Sequence, residues 1–325
     1  MAEARLSFMV RLLLALVAGV SLSGAHCAAT PTEPPFTLTQ IAPNAWAAID
    51  NPKSPAPATS NAGFVIGDDG VTVIDTLGSV EAAKQLLAEI QRRTPLPVKF
   101  VINTHYHFDH VTGNGAFAAA GATILAQRNV RDWIHTENLR LLGPNVPPEL
   151  KALAESSVAP TALYDDGVNV YVGTGTIEVR SLPGHTGGDS IVVVRDSKVA
   201  FLGDLFWRAM LPNLIDASTQ PWIDSLATIL DGNASGFTFV PGHGEVGVAS
   251  DLAAFRNYLV TLRTLVAEAR TQGKSGDALA QTVVPRLKER YGNWEFIEPL
   301  ARDSALQTED ELSGTKRIPM RQRGG

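Results

Sequence analysis

Between residues 101 and 115 the chain reads Val-Ile-Asn-Thr-His-Tyr-His-Phe-Asp-His-Val-Thr-Gly-Asn-Gly. Four side chains able to donate to a cation, His105, His107, Asp109 and His110, fall within six positions. The apolar run before them, from Lys99 to Asn103, reads as a buried strand. Gly113-Asn-Gly115 after them lets the backbone turn into a helix. The cluster is therefore expected on a loop at the C-terminal end of a strand, where open α/β architectures place their chemistry. A loop aims such closely spaced residues inward together, whereas a helix would spread them round its axis. Imidazole and carboxylate are the ligands zinc takes when no thiolate is available. A loop whose histidines only hydrogen-bonded would have no need of this density.

The rest of the chain is organised to repeat that arrangement. Residues 41–49, 61–66 and 71–75 read as a meander of strands, with a Pro/Ser loop over 50–60 that either overhangs a site or lies loose on the surface. Ser79 caps a helix to Arg93 whose buried stripe is expected to be Val80, Ala83, Leu87 and Ile90. A helix at 114–120 and a strand at 123–126 follow. Short helices are expected within 129–165, and strands over 168–172 and 176–182. Pro183-Gly-His185-Thr-Gly-Gly-Asp189 is a second strand-end loop carrying His. A hairpin over 190–202 then ends at Gly203-Asp204, and the strand 237–240 runs into Pro241-Gly-His243-Gly244. Amphipathic helices are expected at 221–230, 251–272 and 275–291, the last interrupted by Pro285.

Four strand-end segments thus supply seven donors: His105, His107, Asp109 and His110, then His185, Asp204 and His243. These use five of the seven His in the chain. One tetrahedral ion takes about four ligands, so seven donors suggest two ions sharing a carboxylate and a water. Bound cations bring the pKa of water down to about 7 and polarise a carbonyl or phosphoryl group. Zinc is the first choice, with iron or manganese as alternatives on the same ligands. Phe206, Trp207 and Met210, just after Asp204, are candidates for an apolar substrate pocket. Tyr106 and Phe108 alternate with the donors and should point into the core, and His135 is expected at the surface. No nucleophile-elbow pattern surrounds Ser190.

His-x-His-x-Asp-His followed by Gly-His-Thr, Gly-Asp and Gly-His-Gly resembles the metallo-β-lactamase superfamily over residues 41–245. The resemblance implies an α/β fold, an αβ/βα sandwich with the site at one edge of its two sheets and, here, C-terminal helices. It implies that His105, His107 and His185 hold one metal, that Asp109, His110 and His243 hold the other, and that Asp204 bridges them. Asp109 would also be the catalytic group, orienting the nucleophile and taking its proton. Asp75 matches the family's acidic residue after an early strand and would orient a ligand. Many β-lactamases of the superfamily carry Cys or Ser where this chain has Asp204. A full Asp bridge is more typical of its thioester, lactone and phosphodiester hydrolases. The flavodiiron branch has Glu at the position of His107, which argues against oxygen-reducing chemistry. The reading is a metal-dependent, di-zinc hydrolase of an ester, thioester, lactone or amide. The alternatives are a β-lactamase, a mononuclear iron persulfide dioxygenase and a non-catalytic periplasmic metal or ligand binder.

Composition limits the setting. The chain has 325 residues, 45% of them apolar, and a net charge of −6, with no basic block of the kind that marks nucleic-acid binding. Arg5 and Arg11 flank the start of an apolar run over 12–20, with small residues before Cys27, the pattern of a cleaved secretory signal too short to span a membrane. Cys27 is the only cysteine. The organisation expected is a signal peptide at 1–27, a mobile Pro-rich lead-in at 28–40, the metallo-β-lactamase domain at 41–250, a helical extension at 251–312 and a tail at 313–325. The partner is a small-molecule substrate, with no nucleic acid and no membrane span after cleavage. The location is periplasmic or secreted, and oligomeric state is unreadable.

Overall fold

The computed structural model describes residues 33–319 except Asn233. The signal segment at 1–27 and the last residues of the tail lie outside them. The chain divides into two compact units, one running to Leu163 and including Tyr171–Gly175, the other comprising Tyr164–Val170 and the residues from Thr176 onward. Among the described residues no helix is long and apolar enough to cross a membrane.

The first unit is built on a seven-stranded sheet in sequence order: β1 (Phe36–Ala42), β2 (Ala45–Asp50), β3 (Ala62–Ile66), β4 (Val71–Ile74), β5 (Val98–Asn103), β6 (Thr123–Gln127) and β7 (Ala162–Tyr164). β1 to β4 form an antiparallel meander, and β4, β5 and β6 run parallel. The meander begins earlier than the sequence suggests. Phe36 to Ala42 is a strand, not lead-in, and pairs with β2 across a turn at Pro43-Asn44. The prolines end at Pro35, and the turn splits what reads as one strand from 41 to 49.

Helix α1 (Val80–Arg93) is capped as expected: the Ser79 hydroxyl accepts from Ala82 N at 3.1 Å. Its buried face agrees in part: Ala83 and Ile90 are buried as expected, but Ala82 and Leu86 take the places of Val80 and Leu87. Ala82, Ala83, Leu86 and Ile90 are buried, while Val80 is 39% exposed. Several small apolar residues allow two stripes on this helix, and the sheet selects the one carrying Leu86. The donor cluster is also not wholly on a loop. His107 is the N-cap of a single helical turn, α2 (Phe108–Val111), which holds Asp109 and His110. The helix α3 (Asn114–Ala119) follows directly. Three short helices, α4 (Arg128–Trp133), α5 (Thr136–Leu142) and α6 (Pro148–Glu155), occupy the irregular stretch. Phe108 packs with Leu142, Leu150 and Ala154 from the last two of these. The loop 50–60 is tied down rather than loose. Thr59 N donates to Asp50 Oδ1 at 2.8 Å, and the Ser60 hydroxyl donates to the Asp109 carbonyl at 2.5 Å.

The second unit carries a five-stranded sheet in the order β12-β11-β10-β9-β8, with β8 (Gly167–Val172), β9 (Gly175–Ser181), β10 (Ser190–Val194), β11 (Val199–Trp207) and β12 (Thr238–His243). β9, β10 and β11 alternate antiparallel, and β11 and β12 are parallel. The C-terminal ends of β9, β11 and β12 therefore lie at one edge. β11 does not stop at Gly203-Asp204 but continues to Trp207, with irregular pairing at Gly203. Helices α7 (Thr219–Asp231), α8 (Ala249–Thr271), α9 (Gly276–Tyr291) and α10 (Ile297–Ser313) complete this unit. Leu252, Phe255, Leu259, Leu262 and Val266 of α8 are all buried, as their spacing requires. α10 falls within the helical extension expected at 251–312 but for its last residue, Ser313.

The observed face of α1 makes a stability test. Leu86→Ala should cost about 2–5 kcal/mol by urea denaturation, whereas Val80→Ala should change stability by less than about 0.5 kcal/mol. A larger loss at Val80 than at Leu86 would mean that the stripe read from sequence is the buried one.

Candidate metal centre

In the first unit the parallel pairing of β4 with β5 brings the residues after both strands together. Asp75 N donates to Ile102 O at 3.0 Å. Asp75 sits at φ +58°, a left-handed conformation costly for a non-glycine residue. That conformation turns its buried carboxylate onto the start of the donor segment. Thr104 N and Thr104 Oγ1 each donate to it at 2.7 Å, and His110 Nδ1 lies 2.9 Å from Oδ2. His105 Nδ1 lies 3.1 Å from Thr104 Oγ1. Because that hydroxyl gives its proton to Asp75, it accepts from His105. Both His105 and His110 thus carry the proton on Nδ1, and the lone pair of each sits on Nε2.

The donors are close-packed. The His105 ring centroid is 4.8 Å from that of His107 and 4.3 Å from that of His110, and His110 Nε2 is 3.6 Å from Asp109 Oδ2. All four are buried. Tyr106 turns away as its alternation implies: its ring meets Trp133 edge-on, and its carbonyl accepts from Asn138 at 2.7 Å. Asn114 Nδ2 donates to Asn103 Oδ1 and to Val158 O, each at 2.9 Å, which anchors the turn after α2. His135 is half-buried, with Nδ1 3.2 Å from Ala154 O.

In the second unit the shared strand edge collects His185, Asp204 and His243. His185 Nε2 is 3.1 Å from Asp204 Oδ2, and His243 Nε2 is 3.3 Å from Asp204 Oδ1. One carboxylate therefore presents a different oxygen to each of two imidazoles. Gly242 permits this approach, because a Cβ there would lie 1.9 Å from Asp204 Oδ1. Trp207 stacks on His243 with centroids 3.9 Å apart, and Trp222 meets His185 edge-on at 5.4 Å. The His185 loop is closed by Asp189, whose carboxylate accepts from Thr186 N at 2.7 Å and from Thr186 Oγ1 at 2.5 Å. Burial pushes the Asp189 carboxyl up to about 8, against the pull of the Thr186 hydrogen bonds.

Some of this was not readable as function beforehand. Thr104, Asp189, Gly242 and Trp222 all shape the donors, and only Asp189 and Gly242 stand inside a recognisable motif. Among the pocket candidates, Trp207 does lie against a donor and Met210 is half-buried. Phe206 instead points into the core, fully buried with its ring 6.0 Å from Phe255. Successive strand residues face opposite ways, so Phe206 and Trp207 cannot both face the donors.

The donor chemistry fits divalent cations. Five imidazoles and two carboxylates are offered, two of the imidazoles in the tautomer with Nε2 as donor. Oriented by a carboxylate at their far side, they match how metal-binding histidines are held.

The metallo-β-lactamase superfamily model matches residues 56–243, a stretch that takes in every donor. A linear primary-alkylsulfatase from Pseudomonas sp. (strain ATCC 19151) is 21% identical over 274 residues, covering 69% of this chain and 51% of that protein. The mitochondrial persulfide dioxygenase of Homo sapiens is 27% identical over 146 residues, 43% of this chain and 46% of that protein. The hydroxyacylglutathione hydrolase of Methylococcus capsulatus is 25% identical over 205 residues, covering 61% and 68%. The chain spans about half the length of the first two of these relatives. The metallo-β-lactamase from Pontibacter korlensis superposes with a TM-score of 0.58 at 22% identity, over 69% of this chain and 99% of that one, which establishes a common fold. With a family model matched over more than half its length and both sheets of that fold in place, the chain belongs to the metallo-β-lactamase superfamily.

Proposed function

We propose that this protein is a metal-dependent hydrolase with two divalent cations, zinc in the first instance. His105, His107 and His185 are assigned to one cation, Asp109, His110 and His243 to the other, and Asp204 to both. The observation that carries this reading is the Asp204 carboxylate, one oxygen directed at His185 and the other at His243. Bound there, the cations would supply an acidified water and a Lewis acid. The chain's own residues do the rest. Asp109 orients the attacking water and takes its proton. Asp75 holds His110 directly, and His105 through Thr104, in the donating tautomer. Trp207 fixes the ring plane of His243 by stacking.

The substrate class proposed is an ester, thioester, lactone or amide. A primary alkyl sulfate belongs in the same test, because the similarity to the alkylsulfatase extends over more of this chain than that to the other two relatives described. A β-lactam is the alternative substrate, less favoured because Asp204 occupies the position where many β-lactamases of the superfamily carry Cys or Ser. The pattern at residues 1–27 supports action in the periplasm or outside the cell.

Purified protein should contain close to two equivalents of zinc, iron or manganese by elemental analysis. It should lose turnover on chelation and recover it on readdition of metal. Screening against lactones, thioesters, alkyl sulfates, phosphodiesters, a chromogenic cephalosporin and a carbapenem identifies the class. A natively purified protein with no bound metal and no turnover of any of them would sink the proposal. Asp109→Asn should lower kcat by about 10²–10⁴ with the fold unchanged by circular dichroism, whereas a non-catalytic binder would bind its ligand as before.

Asp75→Asn tests the tautomer argument. It should weaken metal affinity by about 10–100-fold in a chelator competition. Affinity unchanged from the parent protein would mean that Asp75 does not set the orientation of His105 and His110.

A further inference from the structure

The family match ends at His243, yet the helices beyond it reach back to α7, the helix that packs against His185. Glu311, near the end of α10, places its carboxylate on the first residue of α7. Thr219 N lies 3.0 Å from both Oε1 and Oε2, and Thr219 Oγ1 donates to Oε2 at 2.8 Å. Arg263 of α8 completes the clamp, 2.9 Å from Glu311 Oε1 and 2.6 Å from Thr219 Oγ1. Lys316, just past α10, donates to the carbonyls of Leu214 and Ala217, each at 2.6 Å. The segment 214–219 is thus gripped from the C-terminal side by three charged groups. Thr219 is fully buried, and a carboxylate at a helix N-terminus satisfies amides that have no partner within the helix.

The same segment carries the His185 loop. Ser218 N donates to Gly184 O at 2.8 Å, and the Ser225 hydroxyl donates to Pro183 O at 2.7 Å. Trp222, one turn into α7, packs against the His185 ring and donates from Nε1 to Leu205 O at 3.0 Å, beside Asp204. There is no slack in this contact. A Cβ on Gly184 would lie 2.7 Å from Trp222 Cγ and 2.7 Å from Leu205 Cδ2. A close-packed contact transmits displacement instead of absorbing it. A shift of the start of α7 must therefore move Pro183–His185.

We propose that Glu311, with Arg263 and Lys316, is a positioning residue of the metal centre. From the C-terminal helices it fixes the N-terminus of α7, and through Ser218 and Trp222 it sets the placement of His185 against Asp204. The inference rests on the metal-centre reading above, and its test separates the two.

The protein is loaded with Co²⁺, and stoichiometry, affinity against a chromophoric chelator and the visible ligand-field spectrum are recorded. The parent should take up two equivalents. Glu311→Ala should still fold, bind one of the two about 10–100-fold more weakly and show an altered spectrum. Glu311→Gln, which keeps an acceptor for Thr219, should fall between the two. Lys316→Met provides an independent release of 214–217 should Glu311→Ala not fold, and it should shift the spectrum in the same direction. Leu86→Ala is the control for general destabilisation and should leave spectrum and affinity unchanged. Glu311→Ala and Lys316→Met with parental affinity and spectrum would overturn the positioning role while leaving the metal centre standing. A parent protein that takes up no Co²⁺ would overturn the metal-centre reading itself.

Discussion

Asp204 is a carboxylate only 3% exposed, with an imidazole nitrogen close to each of its oxygens. Burying an ionised carboxylate costs several kcal/mol unless nearby charge and hydrogen bonds offset it. Cations held among the same donors would offset it. The surrounding architecture holds these groups close together. The parallel pairing of β11 with β12 sets Trp207 opposite His243, and Gly242 leaves the carboxylate room.

The first unit shows the same logic. The donors there are aimed from behind, by Asp75. Its left-handed backbone is a local cost accepted because one carboxylate then collects Thr104 and His110 directly and His105 at one remove. Hydrogen bonds of this kind fix which ring nitrogen is protonated, and so which is available as a donor. A loop alone would leave three imidazoles free to choose rotamers. The single turn of α2 and the anchoring of Asn114 remove that choice for His110.

How much of this was legible in the sequence follows from the range of the interactions. Strand-end donors could be read because glycine and histidine cluster within a few residues of each strand. The helix start at Ser79 could be read because its cap is local. The buried face of α1 was misread in part because alanines lie on both candidate stripes, so the sheet, not the helix, decides between Val80 and Leu86. β1 was missed because the prolines before Phe36 mask a strand that pairs with β2 at the edge of the sheet. Phe206 was misplaced because two adjacent aromatic residues look alike until the pleat separates them. Glu311 was invisible for a different reason: its partner Thr219 is 92 residues away, and a glutamate on a polar helix looks like a solvated face.

That last case bears on how a shared fold comes to differ between relatives. The matched region carries the donors, but a donor is useful only if its position is reproducible to a fraction of an ångström. The His185 loop leans on α7, and α7 begins at a residue whose amide and hydroxyl are both satisfied from α10. Without that partner the first turn of α7 would expose or orphan buried polar groups, and the helix would relieve them by fraying. Fraying would reach His185 through Gly184, where no side chain cushions the contact with Trp222. The C-terminal helices therefore contribute rigidity to a centre whose chemistry lies entirely outside them. On the proposal above, changes in those helices would alter metal retention without touching a single proposed ligand.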